Sequence, residues 1–366
     1  MQTELLPDFL HLYHSFGTRS AALLRLLQHF DADPTVIRKS SPAALRGIGL
    51  APKAIARARQ RHDRQVKADL AWAQADNNHL LCYDDDSYPA LLRQIPDFPV
   101  LLYASGDIEL LRAPQIAIVG SRLCTPGGAR TAFDFAAQLA AAGLVVTSGM
   151  ALGIDGEAHS GALQAGGRTL AVTATGIDLV YPGRHHKLAA QIRQQGLIVS
   201  EFPLGTSAQR PNFPQRNRII SGLALGVLVV EAAQRSGSLI TARLAAEQGR
   251  EVFAIPGSIH NPQTRGCHDL IRDGATLVEG PGDITRELTQ LASFVIGENC
   301  EVASVDSIEV DPAHRRLLDS IGYDPVNCDI LVRRSGLTID QLSSMLLVLE
   351  LNDLIQSAPG GCFVRI

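Results

Sequence analysis

Residues 212–222 read NFPQRNRIISG and set Arg216, Asn217 and Arg218 beside Phe213. Guanidinium and amide groups suit phosphate oxygens and base edges, and an aromatic ring offers a sequence-tolerant stacking platform. An apolar run at 227–230 follows, then SGSLITARLAAEQGR from Ser236 to Arg250. Bare amides at a helix start, the hydroxyls of Ser236 and Ser238 and nearby guanidiniums form a receptor for a phosphate-bearing ligand. Arg122 ends the segment VGSR, where an arginine at a strand end can reach a phosphate held by the adjoining loop. A further cationic run, Arg184-His-His-Lys187, follows Tyr181-Pro-Gly.

These loops need a scaffold. Short apolar runs at 115–119, 144–147, 169–173, 197–199, 224–230, 251–254 and 275–278 alternate with helical windows such as 127–142 and 154–165. Strands buried on both faces and alternating with helices predict an α/β fold with a doubly wound, mainly parallel, Rossmann-like sheet. Ligands bind at the carboxyl ends of such strands. The turns 120–122, 148–150, 174–176 and 236–238, rich in Gly, Ser and Thr, fall there.

Residues 1–75 show helical periodicity, with Gly47-Ile48-Gly49 between two short helices, as in a helix-hairpin-helix or SAM-like module. Such glycine amides can face a phosphate or simply connect two helices. After the core at 76–292, an acidic connector is expected at 293–311. Residues 312–366 then read as three helices and a Gly-turned hairpin, a winged-helix pattern.

The 366 residues, 46% hydrophobic, are ample for several cores, and the formal charge of −4 gives no overall nucleic-acid signal. Its distribution does: residues 1–67 carry a net +6 and residues 298–366 a net −6. A basic front suits a polyanion, and an acidic end does not. The C-terminal module is therefore expected to contact protein or to act as a flap on the core. Six scattered cysteines without a CxxC pair, no secretory leader and no long apolar run predict reduced thiols, a cytoplasmic location and no membrane.

No HExxH or comparable spacing occurs, so neither a metal nor a cofactor is expected. GxxxxGK[ST] and a GxGxxG after the first core strand are also absent, which sets the sheet apart from P-loop NTPases and ordinary dinucleotide sites. Asp155 reads as a carboxylate of a helix first turn, whereas Glu201 and Glu231, each after a strand, leave a catalytic pair open.

The segments IAIVGSR (116–122), SGMALGID (148–155), ATGIDLVYP (174–182), SEFPLG (200–205), NFPQRNRIISGL (212–223) and SGSLITARLAAEQGREVFAIPG (236–257) together resemble the DNA-processing protein A family, DprA, also called Smf. The resemblance spans essentially the whole chain. It implies an extended Rossmann core that binds single-stranded DNA without strong sequence preference, protects it and helps load the RecA recombinase during natural transformation. It also implies a homodimer formed through the core and no enzymatic activity. The family's DNA-contacting arginine after VGS maps onto Arg122, the cation after YP onto either Arg184 or Lys187, and the Asn-Arg pair of NRIISG onto Asn217 and Arg218. Ser121, Gly149, Ser236 and Ser238 are expected to position the DNA backbone, with Phe213 beside it. The alternative is a phosphoribohydrolase acting on nucleotides, a class that uses a related sheet and a PGGxGTxxE loop. Here Pro126-Gly-Gly128 follows the first core strand and continues Ala-Arg-Thr instead.

Overall fold

The computed structural model describes residues 4–18, 21–30, 32–296, 312–322, 325–351, 354–358 and 361–365. Its N-terminal part is helical, with elements Leu6–Phe16, Ala21–His29, Pro34–Lys39, Pro42–Gly47, Pro52–Ala58 and Asp63–Trp72. The short helices start where the sequence dictates. Prolines 34, 42 and 52 occupy first-turn positions, where a missing N–H costs nothing. Asp33 accepts from the N–H groups of Thr35 and Val36, and Ser41 from that of Ala44. Gly49, at φ +80°, turns the chain between the fourth and fifth helices, and the space around it is open. Phe9, Leu10, Leu26, Ile37 and Leu45 form a core continuous with Tyr103 and Ile198 of the adjacent sheet.

That sheet has nine strands: β1 (Asn78–Cys82), β2 (Leu101–Gly106), β3 (Gln115–Val119), β4 (Val145–Ser148), β5 (Thr169–Val172), β6 (Leu197–Ser200), β7 (Gly226–Val229), β8 (Glu251–Ala254) and β9 (Thr276–Leu277). Their order is β1-β2-β6-β5-β4-β3-β7-β8-β9. From β6 to β9 all pairings are parallel, whereas β1–β2 and β2–β6 are antiparallel. Seven strands match the apolar runs of the sequence; β1 and β2 are additional.

Side chains alternate between the faces. Ile116, Ile118 and Val146 enter one core, and Ala117, Val119 and Val145 the other. The chain winds outward from β3 to β6, then returns by the helix Asn212–Leu223, which packs across β5, β4 and β3, to place β7 on the free side of β3. The direction of winding thus reverses at β3, where a crevice opens beyond the strand ends.

Of the expected connector at 293–311, residues 293–296 continue the helix Pro281–Ile296, and 297–311 lie outside the described residues. The C-terminal module comprises helices Pro312–Ile321, Cys328–Ser335 and Ile339–Leu351, with a small sheet of β10 (Val326–Asn327), β12 (Cys362–Arg365) and β11 (Ile355–Ala358). Glu298, Glu301, Asp306, Glu309 and Asp311 all precede it. Residues 312–366 carry five arginines against six carboxylates, so most of the negative charge of 298–366 stands before residue 312. Among the described residues Cys124, Cys267 and Cys328 are free thiols.

Candidate nucleic-acid interface

Beyond the carboxyl ends of β3 and β7 lies a groove of about 750 Å³. One wall is the helix Asn212–Leu223. Phe213, Arg216, Asn217 and Ile220 all line the groove, the i, i+3, i+4, i+7 spacing of a single helix face. The opposite side is the start of the helix Gly237–Glu247, where the Ser236 and Ser238 hydroxyls lie 2.7 Å apart and Ser236 caps the first turn. The amides of that turn supply the partial positive charge of a helix N-terminus. Asn217 reaches across, its Nδ2 donating to the carbonyl of Gly237 at 3.4 Å.

The end of β3 supplies Ser121 and Arg122. Ser121 Oγ accepts from the N–H of Leu123 at 3.1 Å, and the Ser121 carbonyl accepts from the N–H of Ile154 at 3.2 Å. This close approach requires Gly153, at φ +75°, because a Cβ there would meet the Ser121 carbonyl oxygen at 2.3 Å. Arg122 is exposed, with its guanidinium over the Phe213 ring at 5.2 Å, and Tyr181 tilts against the same ring at 5.8 Å. Arg122, Phe213 and Tyr181 separate the groove from an adjoining pocket of about 70 Å³ that contains Gly149 and Thr175.

Arg216 forms part of the groove floor although it is only 3% exposed. Its guanidinium packs on the bare Cα of Gly149, and Nη1 donates to the carbonyl of Val172 at 2.8 Å. Among the described residues this is its one hydrogen bond within the protein, and buried Nε has no partner. A guanidinium carries five N–H donors, so an anion in the groove would satisfy what the protein leaves unmet. Burial lowers the Arg216 pKa to about 10, opposed by the charge of Asp155; the group is still a cation at neutral pH. Asp155 is buried and its pKa is raised by desolvation, with Arg216 pulling the other way. Its Oδ2 accepts from the N–H groups of Gly149 and Ala151 at 3.2 Å each, pinning the loop before its helix.

Arginines 122, 210, 216 and 235 therefore line one groove with Asp155 as its lining carboxylate. Of the residues expected at the site, Ser121, Arg122, Phe213, Asn217, Ser236 and Ser238 meet here, and Gly149 lies in the adjoining pocket. Arg184 and Lys187 are exposed outside the groove lining, on a segment tied to the loop after β4 by His185, whose Nδ1 donates to the carbonyl of Met150 at 3.0 Å.

Arg218 is a correction. It is buried on the far side of the helix, where Nη2 pairs with Glu201 at 2.6 Å and Nε with Asp97 at 3.0 Å, so it does not present its charge to a ligand in the groove. Glu201 and Glu231 are each engaged within the fold. Glu201 holds Arg218, and Glu231 accepts from the N–H and Oγ1 of Thr125 at 2.8 and 2.7 Å. Sequence reasoning passed over Tyr181, Arg210 and Arg235 as groove residues. Alignment of 213, 216, 217 and 220 on one helix face was the available signal for Arg216.

Residues 79–289 match the family model for DNA recombination-mediator protein A. The chain belongs to that family. Residues 302–361 match the DprA winged helix domain. Protein Smf of Escherichia coli is 43% identical over 306 residues, spanning 83% of this chain and 81% of the relative. Protein Smf of Synechocystis is 33% identical over 95% of this chain and 96% of its own length. Among solved structures, DprA from Streptococcus pneumoniae superposes with a TM-score of 0.68 at 38% identity, covering 77% of this chain and 97% of that one. DNA processing protein A from Helicobacter pylori, solved in a study of its single-stranded DNA binding mode, superposes with a TM-score of 0.53 at 30% identity, over 58% and 96% of the two chains. Family and fold thus agree with the sequence resemblance, and the groove belongs to a DNA-processing protein.

Proposed function

We propose that the groove binds single-stranded DNA without strong sequence preference. One observation carries this reading: four arginines, a helix N-terminus and a stacked Arg122–Phe213–Tyr181 unit share a single groove. Guanidiniums and helix amides neutralise and orient phosphates, while the aromatic rings accept the face of any unpaired base. In a duplex those faces are already stacked, so the groove favours the single strand. Membership of a recombination-mediator family supports the wider role, in which the chain protects incoming strands and helps load RecA on them during transformation. In the same reading the protein works in the cytoplasm as a homodimer formed through its core, and catalyses no reaction. The structural engagement of Glu201 and Glu231 supports a binding role over hydrolysis.

The test is a fluorescence-anisotropy titration on labelled poly-dT and on a matching duplex at several salt concentrations. Each neutralised single-strand phosphate contributes about −0.7 to the slope of log affinity against log salt, so four arginine contacts predict roughly −3. Equal or stronger binding to the duplex, or a slope near zero, refutes the proposal. RecA loading is then tested by the displacement of a single-strand-binding protein from the same oligonucleotide.

A further inference from the structure

The helix that carries Phe213, Arg216 and Asn217 into the groove is held from behind by the N-terminal helical module. Two routes connect them. Gln215 Nε2, on that helix, donates directly to Thr18 Oγ1. On the second route, Tyr13 of the helix Leu6–Phe16 donates its hydroxyl to the backbone carbonyl of Glu201, and the Glu201 carboxylate grips Arg218. Tyr13, Glu201 and Arg218 are 1%, 0% and 3% exposed, so this route runs through the interior and not over the surface. Asp97 completes the hold on Arg218 at 3.0 Å.

A helix clamped on one face keeps its opposite face in a fixed rotation. With a diameter of about 10–12 Å including side chains, a rotation of about 10° moves a side-chain tip by about 1 Å. That is enough to misalign a stacking ring or a guanidinium fork.

We propose that the N-terminal module is a positioning element for the DNA groove. Tyr13, Gln215, Glu201 and Arg218 set the rotation of the helix Asn212–Leu223, and they tune affinity for the strand without touching it. This rests on the single-strand reading of the groove. It assigns the basic N-terminal module a task independent of any DNA contact of its own, since Tyr13, Glu201 and Arg218 are interior and the Gln215–Thr18 contact is half-buried between protein atoms.

The experiment uses the full chain with Tyr13→Phe and Gln215→Ala combined, and Arg218→Lys as a second variant that keeps the charge and loses the planar fork. Single-strand affinity is expected to fall about 2- to 30-fold, the span typical of mutations that act through a coupled element. The salt slope is expected to stay at the wild-type value, because no phosphate contact is removed. Backbone amides of the helix are expected to exchange faster with solvent deuterium in the free protein, and saturating poly-dT is expected to restore their protection.

Unchanged affinity together with unchanged exchange overturns the proposal. A slope reduced by about 0.7 also overturns it, by showing that a varied residue contacts phosphate directly. If the wild-type chain does not bind the single strand, the functional reading fails on its own account. The exchange measurement, made without DNA, still decides whether the module holds the helix.

Discussion

Gly149→Ala tests the floor of the groove. A methyl group there would sit 1.7 Å from Arg216 Nη1 and 2.4 Å from its Cζ, where ordinary contacts need about 3.5 Å. The guanidinium must therefore retreat by about 2 Å, breaking its 2.8 Å hydrogen bond to the Val172 carbonyl. Overpacking of this kind destabilises by about 1–3 kcal/mol. In a core of this size each kcal/mol lowers Tm by about 2–4 °C, so a fall of roughly 2–12 °C is expected in a thermal melt. Loss of a charge-assisted contact to DNA weakens binding by about 1.5–3 kcal/mol, or roughly 10- to 150-fold, and reduces the salt slope by about 0.7. Gly127→Ala is the control. Its Cβ would meet nothing nearer than Thr125 Oγ1 at 3.9 Å, and alanine is a better helix former by about 1 kcal/mol. A Gly149→Ala protein with wild-type Tm and slope refutes the packing argument. One that melts early but keeps the slope shows that Arg216 serves the fold and not the strand.

Arg122→Ala is expected to weaken binding to all sequences alike and to reduce the salt slope by about 0.7; loss confined to particular bases would contradict a phosphate role. Phe213→Leu removes the surface beneath Arg122, and anisotropy on poly-dT is expected to show a loss of about 1–3 kcal/mol, with little further change on an abasic strand of equal length. His159 is fully buried, and desolvation lowers its pKa from 6.5 to about 3. Because Thr169 Oγ1 gives its proton to the Val146 carbonyl, it accepts from His159 Nδ1 at 2.7 Å, which leaves Nε2 as a buried lone pair without a partner. The folded pKa lies below the unfolded one, so the unfolded chain binds the extra proton between them. Stability is complete above pH 6.5 and declines as pH falls toward 3, by at most about 1.4 kcal/mol per pH unit. Urea denaturation at pH 7 and pH 5 measures this, and a His159→Gln chain with an equally steep decline would assign the effect elsewhere.

The strands β3 to β9 were legible because each is an apolar run between small-residue turns, which is what burial on both faces demands. β1 and β2 had no such frame. Asn78–Cys82 and Leu101–Gly106 pair antiparallel at the margin of the sheet, and nothing local announces that they extend it. At the site, the sequence located Arg122, Phe213 and the Ser236–Ser238 turn, because each belongs to a loop at a strand end or a helix start. It misplaced Arg218 for a geometric reason. Arg216 and Arg218 are two residues apart on a helix, so they point about 200° from one another. One faces the groove and the other the interior, and which does which depends on Glu201 and Asp97, distant in sequence.

The reversal of winding at β3 also determines when, during synthesis, the groove comes into being. Ser121, Arg122, Asp155 and Tyr181 precede the return helix; Phe213, Arg216, Asn217, Arg235, Ser236 and Ser238 lie on it or beyond it. A nascent chain stopped near residue 210 contains the adjacent strands β1-β2-β6-β5-β4-β3 and lacks one whole side of the groove. Synthesis thus completes the groove only after most of the sheet has been made, and whatever ligand the groove takes can be held only by a chain that is nearly whole.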